Sequence, residues 1–238
     1  MEHCNIEFIN EVDSTNEHLK RMVRSKPIKG PFCVSASSQI NGKGQRGKVW
    51  KSDPYVNVMA SYLVDDEHRL DDLASMSAVV ACSIANIVSE CGVKDVKIKW
   101  PNDLYVGDNK IAGILIEPLW SGKQVKQIIV GIGLNINQMV FPDLSATSIL
   151  LETGNIQQVG DILVALYKML YRNIGAQGTD FLAKMNEILY KKDSSVTFEI
   201  DGRMEEYTVK QVLKNGNLKV EKGNGNVELE HHRVKWVI

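Results

Sequence analysis

"QIIVGIGLNIN", residues 127–137, decides how the sheet of this protein is read. Side chains of a strand alternate between its two faces. Ile128, Val130, Ile132, Leu134 and Ile136 therefore share one face, and Gly131, Gly133, Asn135 and Asn137 the other. The first face is aliphatic core. The second is bare backbone ending in amides. A glycine inside a strand costs about 0.5–1 kcal/mol relative to alanine. It is kept where something must lie flat against the sheet. Two occupants fit, a ligand or a closely packed neighbouring helix.

Upstream, "DLYV" and "KIAGILIEPLW" flank Gly107-Asp108-Asn109, which predicts a hairpin. Lys110 opens an otherwise apolar strand, either as a solvated strand end or as an ammonium beside exposed backbone. Gly113, three residues on, strips another side chain from that strand. "VKIKW" is a strand that ends at Pro101, leaving Asn102 and Asp103 at its C-terminal edge. Pro-Asn-Asp is good turn chemistry. Asp103 could alternatively hold a metal or orient a lysine.

Toward the N-terminus, "NIEFINEV" (5–12) reads as an entry strand. "DSTNEHLKRMV" (13–23) reads as a helix capped by Asp13, Ser14 or Thr15. "PFCVSASSQ" (31–39) and "VNVMASYLV" (56–64) are strands joined by the loop 40–55. "LDDLASMSAVVACSIANIVSECG" (70–92) carries Leu73, Met76, Val80, Ile84 and Ile87 at helical spacing, with Gly92 as its stop. Helical patterns also cover 158–174 and 179–190. After the polar "KKDSS" (191–195) the pattern changes to short strands, "VTFEI", "EEYTVKQVL", "NLKVE" and "NVELEHHRVKWVI". They are separated by Asp201-Gly202, Asn215-Gly216 and Gly223-Asn224-Gly225, which predicts a small all-β barrel. The expected architecture is α+β: a mixed β-sheet flanked by helices over residues 1–190 and a small C-terminal β-barrel over 191–238.

The totals bound the function. The chain has 238 residues, 44% hydrophobic and 24% charged, an ordinary globular composition with length enough for a sizeable core. Its net charge of -1 argues against a general nucleic-acid binder, which needs a basic footprint. Cys4, Cys33, Cys82 and Cys91 form no CxxC pair, and no His–Cys cluster has zinc spacing. No signal peptide and no apolar run of membrane length stand out, so a cytoplasmic protein with reduced thiols, no membrane partner and no structural metal is expected.

Against that neutral background, "NGKGQRGKVW" (41–50) packs three glycines and three cations ahead of a tryptophan. Lys43, Arg46 and Lys48, with backbone N–H groups freed by Gly42, Gly44 and Gly47, can surround an anion. A solvated loop fits the same composition. The run lacks the GxxxxGK[ST] pattern, and no GxGxxG follows a strand. A segment so rich in glycine also suits a lid over a charged ligand.

Four runs together, "STN" (14–16), "GKGQRGKVW" (42–50), "KWPNDLYVGDNKIAGILIE" (99–117) and "VGIGLNIN" (130–137), resemble biotin protein ligases. The resemblance covers roughly residues 5–190, and the C-terminal barrel is similar to their small cap domain. It implies a class II synthetase-like catalytic core with an SH3-like barrel, in the short form without a DNA-binding domain. It also implies an ATP-dependent activity: biotinyl-5′-AMP is formed from biotin and ATP, then biotin passes to a lysine of a biotin carboxyl carrier protein. Mg²⁺ would accompany the polyphosphate, and the expected state is a monomer or weak homodimer.

Carried over by position, the resemblance puts Ser14, Thr15 and Asn16 on the biotin rings and Gln39, Lys43, Gly44 and Gln45 along the biotin and adenylate site. Lys110 contacts the biotin carboxylate and the bridging phosphate oxygens in this carry-over, and Gly113, Gly131 and Gly133 give the ligand room. Lys43, Gln45, Arg46, Trp50, Asn102, Lys110 and Asn135 form the nucleotide set, and Lys110, Arg46 and Asp103 the catalytic one. Lys43 replaces the usual arginine of the GRGRRG pattern and Gln45 a frequent second one. Lysine is a point charge that cannot fork onto phosphate. Two other readings are a lipoate or octanoate ligase or acyltransferase of the same fold, the transferase needing a nucleophilic cysteine, and a non-enzymatic biotin binder.

Overall fold

The structure is a computed structural model that describes residues 4–65, 73–142, 144–176, 180–223 and 225–237. Its first half runs β1 (Ile6–Val12), α1 (Thr15–Ser25), β2 (Phe32–Gln39), β3 (Val58–Asp65), α2 (Leu73–Glu90), β4 (Val96–Lys99), β5 (Asp103–Val106), β6 (Asn109–Ser121) and β7 (Gln124–Leu134). Then come α3 (Ile149–Thr153), α4 (Val159–Ile174), α5 (Phe181–Glu187), β8 (Ser195–Ile200), β9 (Arg203–Val212), β10 (Leu218–Lys222), β11 (Gly225–Leu229) and β12 (Val234–Val237). The predicted helix start at 70–72, the side chain of Leu73, residue 179 and Asn224 of the predicted turn lie outside the described residues.

The mixed sheet is as expected. Seven strands follow the order β1-β2-β3-β7-β6-β5-β4, with β1 and β2 parallel and the other pairs antiparallel. The aliphatic face read from β7 is core: Val130, Ile132 and Leu134 are buried with Ala60, Tyr62 and Val64 of β3 and with residues of α2 and α4. Leu19 of α1 covers one corner of the opposite face, over Phe32, Val34, Leu63 and Ile129. The rest of that face is left to the glycines.

Two boundaries differ from the sequence reading. β7 stops at Leu134 rather than running to Asn137: the Asn135 and Asn137 N–H groups still reach the Ile111 and Val56 carbonyls, but side chains now share the pairing. The Asn57 carboxamide oxygen accepts from the Ile136 N–H at 2.7 Å, and Asn135 Nδ2 donates to the Thr147 carbonyl at 3.0 Å. The last predicted strand splits into β11 and β12. β11 ends at Leu229, opposite the first residue of β10, so the chain turns through Glu230–Arg233 and its final strand pairs with β8 instead. The C-terminal sheet has the order β11-β10-β9-β8-β12 and is antiparallel throughout. His231 and His232 sit in that turn and not on a strand. Among the described residues no helix is long and apolar enough to cross a membrane.

Candidate functional site

Register builds the site before any side chain is considered. Lys99 of β4 pairs with Asp103 of β5, Asp103 with Gly113 of β6, and Gly113 with Gly133 of β7. Cross-strand partners point to the same face. One rung of the sheet therefore carries an ammonium, a carboxylate and two bare backbones. The next runs Leu115, Gly131 and Ser61. A shift between Leu104 and Tyr105 brings Tyr105 opposite Lys110 at the hairpin.

Side chains of the loop, of α1 and of β6 lie over the glycines. A Cβ added at Gly133 would stand 2.4 Å from Cε2 of Trp50, and one at Gly131 would stand 2.4 Å from Oδ1 of Asn16. The indole thus lies flat on Gly133, and the first turn of α1 rests on Gly131. At Gly113 the added atom would be 3.0 Å from Lys110 Nζ, which puts the ammonium over the same bared surface. That ammonium lies 2.6 Å from Asp103 Oδ1 and 5.6 Å from the Trp50 ring centre. Asp103 thus orients a lysine, the second of the roles left open by the sequence.

A polar knot closes the α1 end. Gln39 Oε1 accepts from the Thr15 N–H at 2.8 Å and from Thr15 Oγ1 at 3.2 Å, and so serves the helix N-terminus that Ser14 occupies without a side-chain cap bond. The Ser61 hydroxyl, fully buried, lies within hydrogen-bond reach of both Thr15 Oγ1 and Asn16 Oδ1, and its single proton serves one of them at a time. Asn16 Nδ2 donates to Glu117 at 2.8 Å. Lys20 also reaches Glu117, at 2.6 Å, and Glu17, at 2.9 Å. Glu17 holds Lys43 at 2.9 Å, and these two lysines keep its carboxyl below the usual range.

The loop 41–50 is a small hairpin, not an open nest. The Gly44 N–H donates to the Lys48 carbonyl at 2.7 Å and the Trp50 N–H to the Gly42 carbonyl at 2.9 Å, so of the glycine N–H groups the sequence offered to an anion, that of Gly44 is engaged within the loop. Arg46 (φ 56°) and Gly47 (φ 75°) both take the left-handed conformation, the signature of a primed hairpin turn. Arg46 reaches across to the second sheet, donating to the Val234 carbonyl at 3.0 Å. A charged hydrogen bond contributes about 1.5–3 kcal/mol, enough to offset left-handed strain of about 1–2 kcal/mol.

These elements enclose a cleft of about 440 Å³. All of the residues carried over by the resemblance line it: Ser14, Thr15 and Asn16; Gln39; Lys43, Gly44, Gln45, Arg46 and Trp50; Asn102, Asp103, Lys110 and Gly113; Gly131, Gly133 and Asn135; Gly42, Gly47 and Asn137 do not. Asn102 is partly committed, its Nδ2 donating to the Ile114 carbonyl at 2.8 Å. Three buried polar atoms of the lining make no hydrogen bond among the described residues: Trp50 Nε1, a donor, Asn135 Oδ1, an acceptor, and Asp103 Oδ1, whose contact is the ion pair with Lys110. Sequence reasoning missed Lys99, Tyr105, His231, Lys235 and Trp236, which also line the cleft, and the Ser61 hydroxyl beneath it. Lys99 and Tyr105 had a signal, since the turn at 100–102 places Lys99 opposite Asp103. The residues of β12 had none.

The electrostatics are one-sided. Lys43, Arg46, Lys48 and Lys51 from one loop, Lys99 and Lys110 from the sheet and Lys235 from β12 face the cleft, against Asp103 as the sole carboxylate of its described lining. Burial lowers Lys99 to about 8 and raises Tyr105 to about 12. His231 is also lowered, by burial and then by Arg46. Among the described residues no group of three or more His, Cys, Asp or Glu could hold a metal ion.

Fold and site together define an α+β protein with a cationic cleft over a glycine-bared sheet, and this fold is that of biotin protein ligases. The chain aligns with the biotin protein ligase from Aquifex aeolicus, solved in complex with biotin and ATP, at a TM-score of 0.82 and 22% identity over 98% of each chain. Residues 8–135 match the biotin/lipoate A/B protein ligase family, and the chain belongs to that family. Curated relatives include the bifunctional ligase/repressor BirA of Salmonella typhimurium, 33% identical over 56% of this chain and 41% of that protein. Another is the biotin–[acetyl-CoA-carboxylase] ligase of Paracoccus denitrificans, 32% identical over 54% of this chain and 53% of that protein. The chain thus spans about half the length of the curated relatives it matches.

Proposed function

We propose that the protein is a cytoplasmic biotin–protein ligase, which forms biotinyl-5′-AMP from biotin and ATP and passes the biotinyl group to a lysine of a biotin carboxyl carrier protein. The observation that carries this reading is the rung on which Lys110, paired with Asp103, sits over Gly113 beside Gly133 in a cleft crowded with cations. Joining a carboxylate to a phosphate brings two anions together. Catalysis there is mainly alignment and charge neutralisation. Family membership and the likeness to a ligase holding biotin and ATP point the same way.

In the first step a carboxylate oxygen bonds to the α-phosphorus, and the bond to the bridging oxygen breaks with its electron pair leaving on pyrophosphate. Lys110 is the cation that sits between the two anions. The polar knot of Thr15, Asn16, Gln39 and Ser61 is suited to a ring bearing amide groups. The unpartnered Asn135 oxygen is suited to an amino group of the nucleotide base. In the second step the carrier amine attacks the acyl carbon and AMP leaves, and Asp103 is the residue we assign to take the amine's proton. The Asp103 carboxylate is already held by Lys110, so the described lining of the cleft offers no carboxylate set of its own for Mg²⁺. A magnesium ion would arrive on the polyphosphate oxygens, and no step here depends on it. Residues 1–190 are the catalytic part in this proposal and 191–238 a module whose β12 closes the cleft.

The acyltransferase reading needs a reactive thiol, and no cysteine lines the described cleft. Cys33 and Cys82 are buried, which raises Cys33 strongly and Cys82 to about 11, so neither is a ready nucleophile. Incubation with ATP, biotin and an apo carrier domain should add one biotinyl group to the carrier, with AMP and pyrophosphate released. Modification by lipoate but not biotin would move the assignment to the other branch of the family. Absence of pyrophosphate with either acid would leave only a binder.

A further inference from the structure

Lys99 is the cation of the cleft whose surroundings are hardest to explain without a ligand. Its Nζ lies 4.5 Å from the ring centre of Tyr105, 5.6 Å from that of Trp236 and 5.9 Å from that of Tyr190. Its one hydrogen bond among the described residues goes to Tyr105 Oη, at 3.2 Å. No carboxylate lies within ion-pairing distance among the described residues. The nearest candidate, its cross-strand partner Asp103, is engaged by Lys110. Elements from both sheets build this cage. Trp236 Nε1 donates to the Trp100 carbonyl at 3.0 Å, and Trp100 Nε1 donates to the Gly216 carbonyl at 2.8 Å, so β12 is fixed against the KWP turn.

The rings and the nearby carboxylates support this half-buried ammonium in part, while burial, Lys110 and Lys48 oppose its charge, so an anion at the cleft would favour it further. The charge exceeds what a single carboxylate requires, since Lys110 already serves that purpose. We propose that Lys99 is a further substrate-binding residue of this cleft, whose caged ammonium receives the polyphosphate of the nucleotide and then the pyrophosphate that departs when the carboxylate attacks the α-phosphorus. The assignment rests on the ligase reading above. It concerns the leaving group: as the bond to the bridging oxygen breaks, charge gathers on pyrophosphate, and Lys99 neutralises it without a change in bonding.

Protonation gives a signature. The charges around Lys99 come from every neighbouring element: Asp103 of β5 and Asp108 of the hairpin turn favour its charged form, and Lys110 of β6 and Lys48 of the loop oppose it. Tyr105 and Tyr190 stay neutral, both raised by burial, and Lys191 is paired with Asp108. Lys235 lines the cleft next to Trp236 and lies 3.5 Å from Glu199. Burial sets the free ammonium at about 8. A polyanion binds the protonated form, so affinity is full below that pH and declines as pH rises through it.

The test measures binding of inorganic pyrophosphate to the full chain, together with KM for ATP in biotin-dependent AMP formation, between about pH 7 and 9.5. Lys99→Met should weaken pyrophosphate and raise KM for ATP about tenfold or more at the low end, as loss of a charge-assisted hydrogen bond does. Biotin affinity without nucleotide should stay unchanged. Lys99→Arg should keep pyrophosphate affinity and flatten its decline with pH; ionisation of pyrophosphate itself is common to both proteins and cancels. Wild-type affinity in Lys99→Met, an unaltered pH profile in Lys99→Arg, or a defect confined to transfer onto the carrier would each overturn the proposal. Should the wild type bind pyrophosphate through Lys99 yet make no AMP with biotin, the ligase reading fails while the anion site stands.

Discussion

Replacing Gly133 by alanine tests how the glycine surface is used. The new Cβ would lie 2.4, 2.5 and 2.7 Å from three atoms of the Trp50 indole. Carbon atoms pack at about 3.5–4.0 Å, so the ring must retreat by roughly 1 Å. Overpacking of this kind costs about 1–3 kcal/mol. For a chain of this size that lowers Tm by about 2–4 °C per kcal/mol. The three nearest atoms all belong to Trp50. In a Trp50→Ala background the same substitution should therefore stabilise, by about 0.5–1 kcal/mol, because alanine suits a strand better than glycine. Denaturant titration of the four proteins at equal m values gives the coupling energy. The expected result is a change of sign between backgrounds. An equal loss in both would mean that something other than the indole requires Gly133, and the account of the cleft floor would be wrong.

The remaining expectations follow from the same geometry. Lys110→Ala should cut adenylate formation about 100- to 1,000-fold, measured as AMP release, because two anions then meet without a counter-charge; turnover near wild type would exclude that role. Ser61→Ala, which leaves Thr15 and Asn16 without a shared buried donor, should cost about 1–3 kcal/mol in denaturant titration and weaken biotin binding in calorimetry. Gln45→Arg should slow escape of the adenylate on dilution by adding a forked phosphate contact; an unchanged release rate would count against the loop as its cover. Glu17 has a lowered carboxyl in the fold, so its ion pairs stabilise above its unfolded pKa and are lost as pH falls through the folded one. Glu17→Gln should remove that part of the acid sensitivity, about 0.5 kcal/mol for so exposed a pair, read as a smaller difference in stability between pH 7 and 3.

Much of the site was legible because its signals are local. Strand alternation at 128–134 marked the core face and the bare face, and the hairpin at 107–109 placed Lys110 beside Gly113. Turn chemistry and helical spacing supplied most of the elements. What could not be read depends on contacts between distant parts of the chain. Trp50 lies on Gly133 although the two are far apart in sequence. β12 leaves its hairpin partner for β8 and carries Trp236 to Lys99. The loop 41–50 has the composition of a flexible segment, yet it closes as a hairpin once Arg46 anchors on Val234. Composition suggests a free Gly44 N–H but does not reveal that the Lys48 carbonyl will accept from it. Asn137, placed by alternation on the ligand face, instead ties the chain to Gln157 once β7 has ended.

In the proposed reaction Lys110, over the bared strands, brings a carboxylate onto the innermost phosphate of ATP. Isotope exchange between labelled pyrophosphate and ATP reads that step without any carrier. Exchange should require biotin, and it should vanish in Lys110→Ala while biotin still binds. Exchange that proceeds without biotin, or that survives loss of the Lys110 ammonium, would contradict the account.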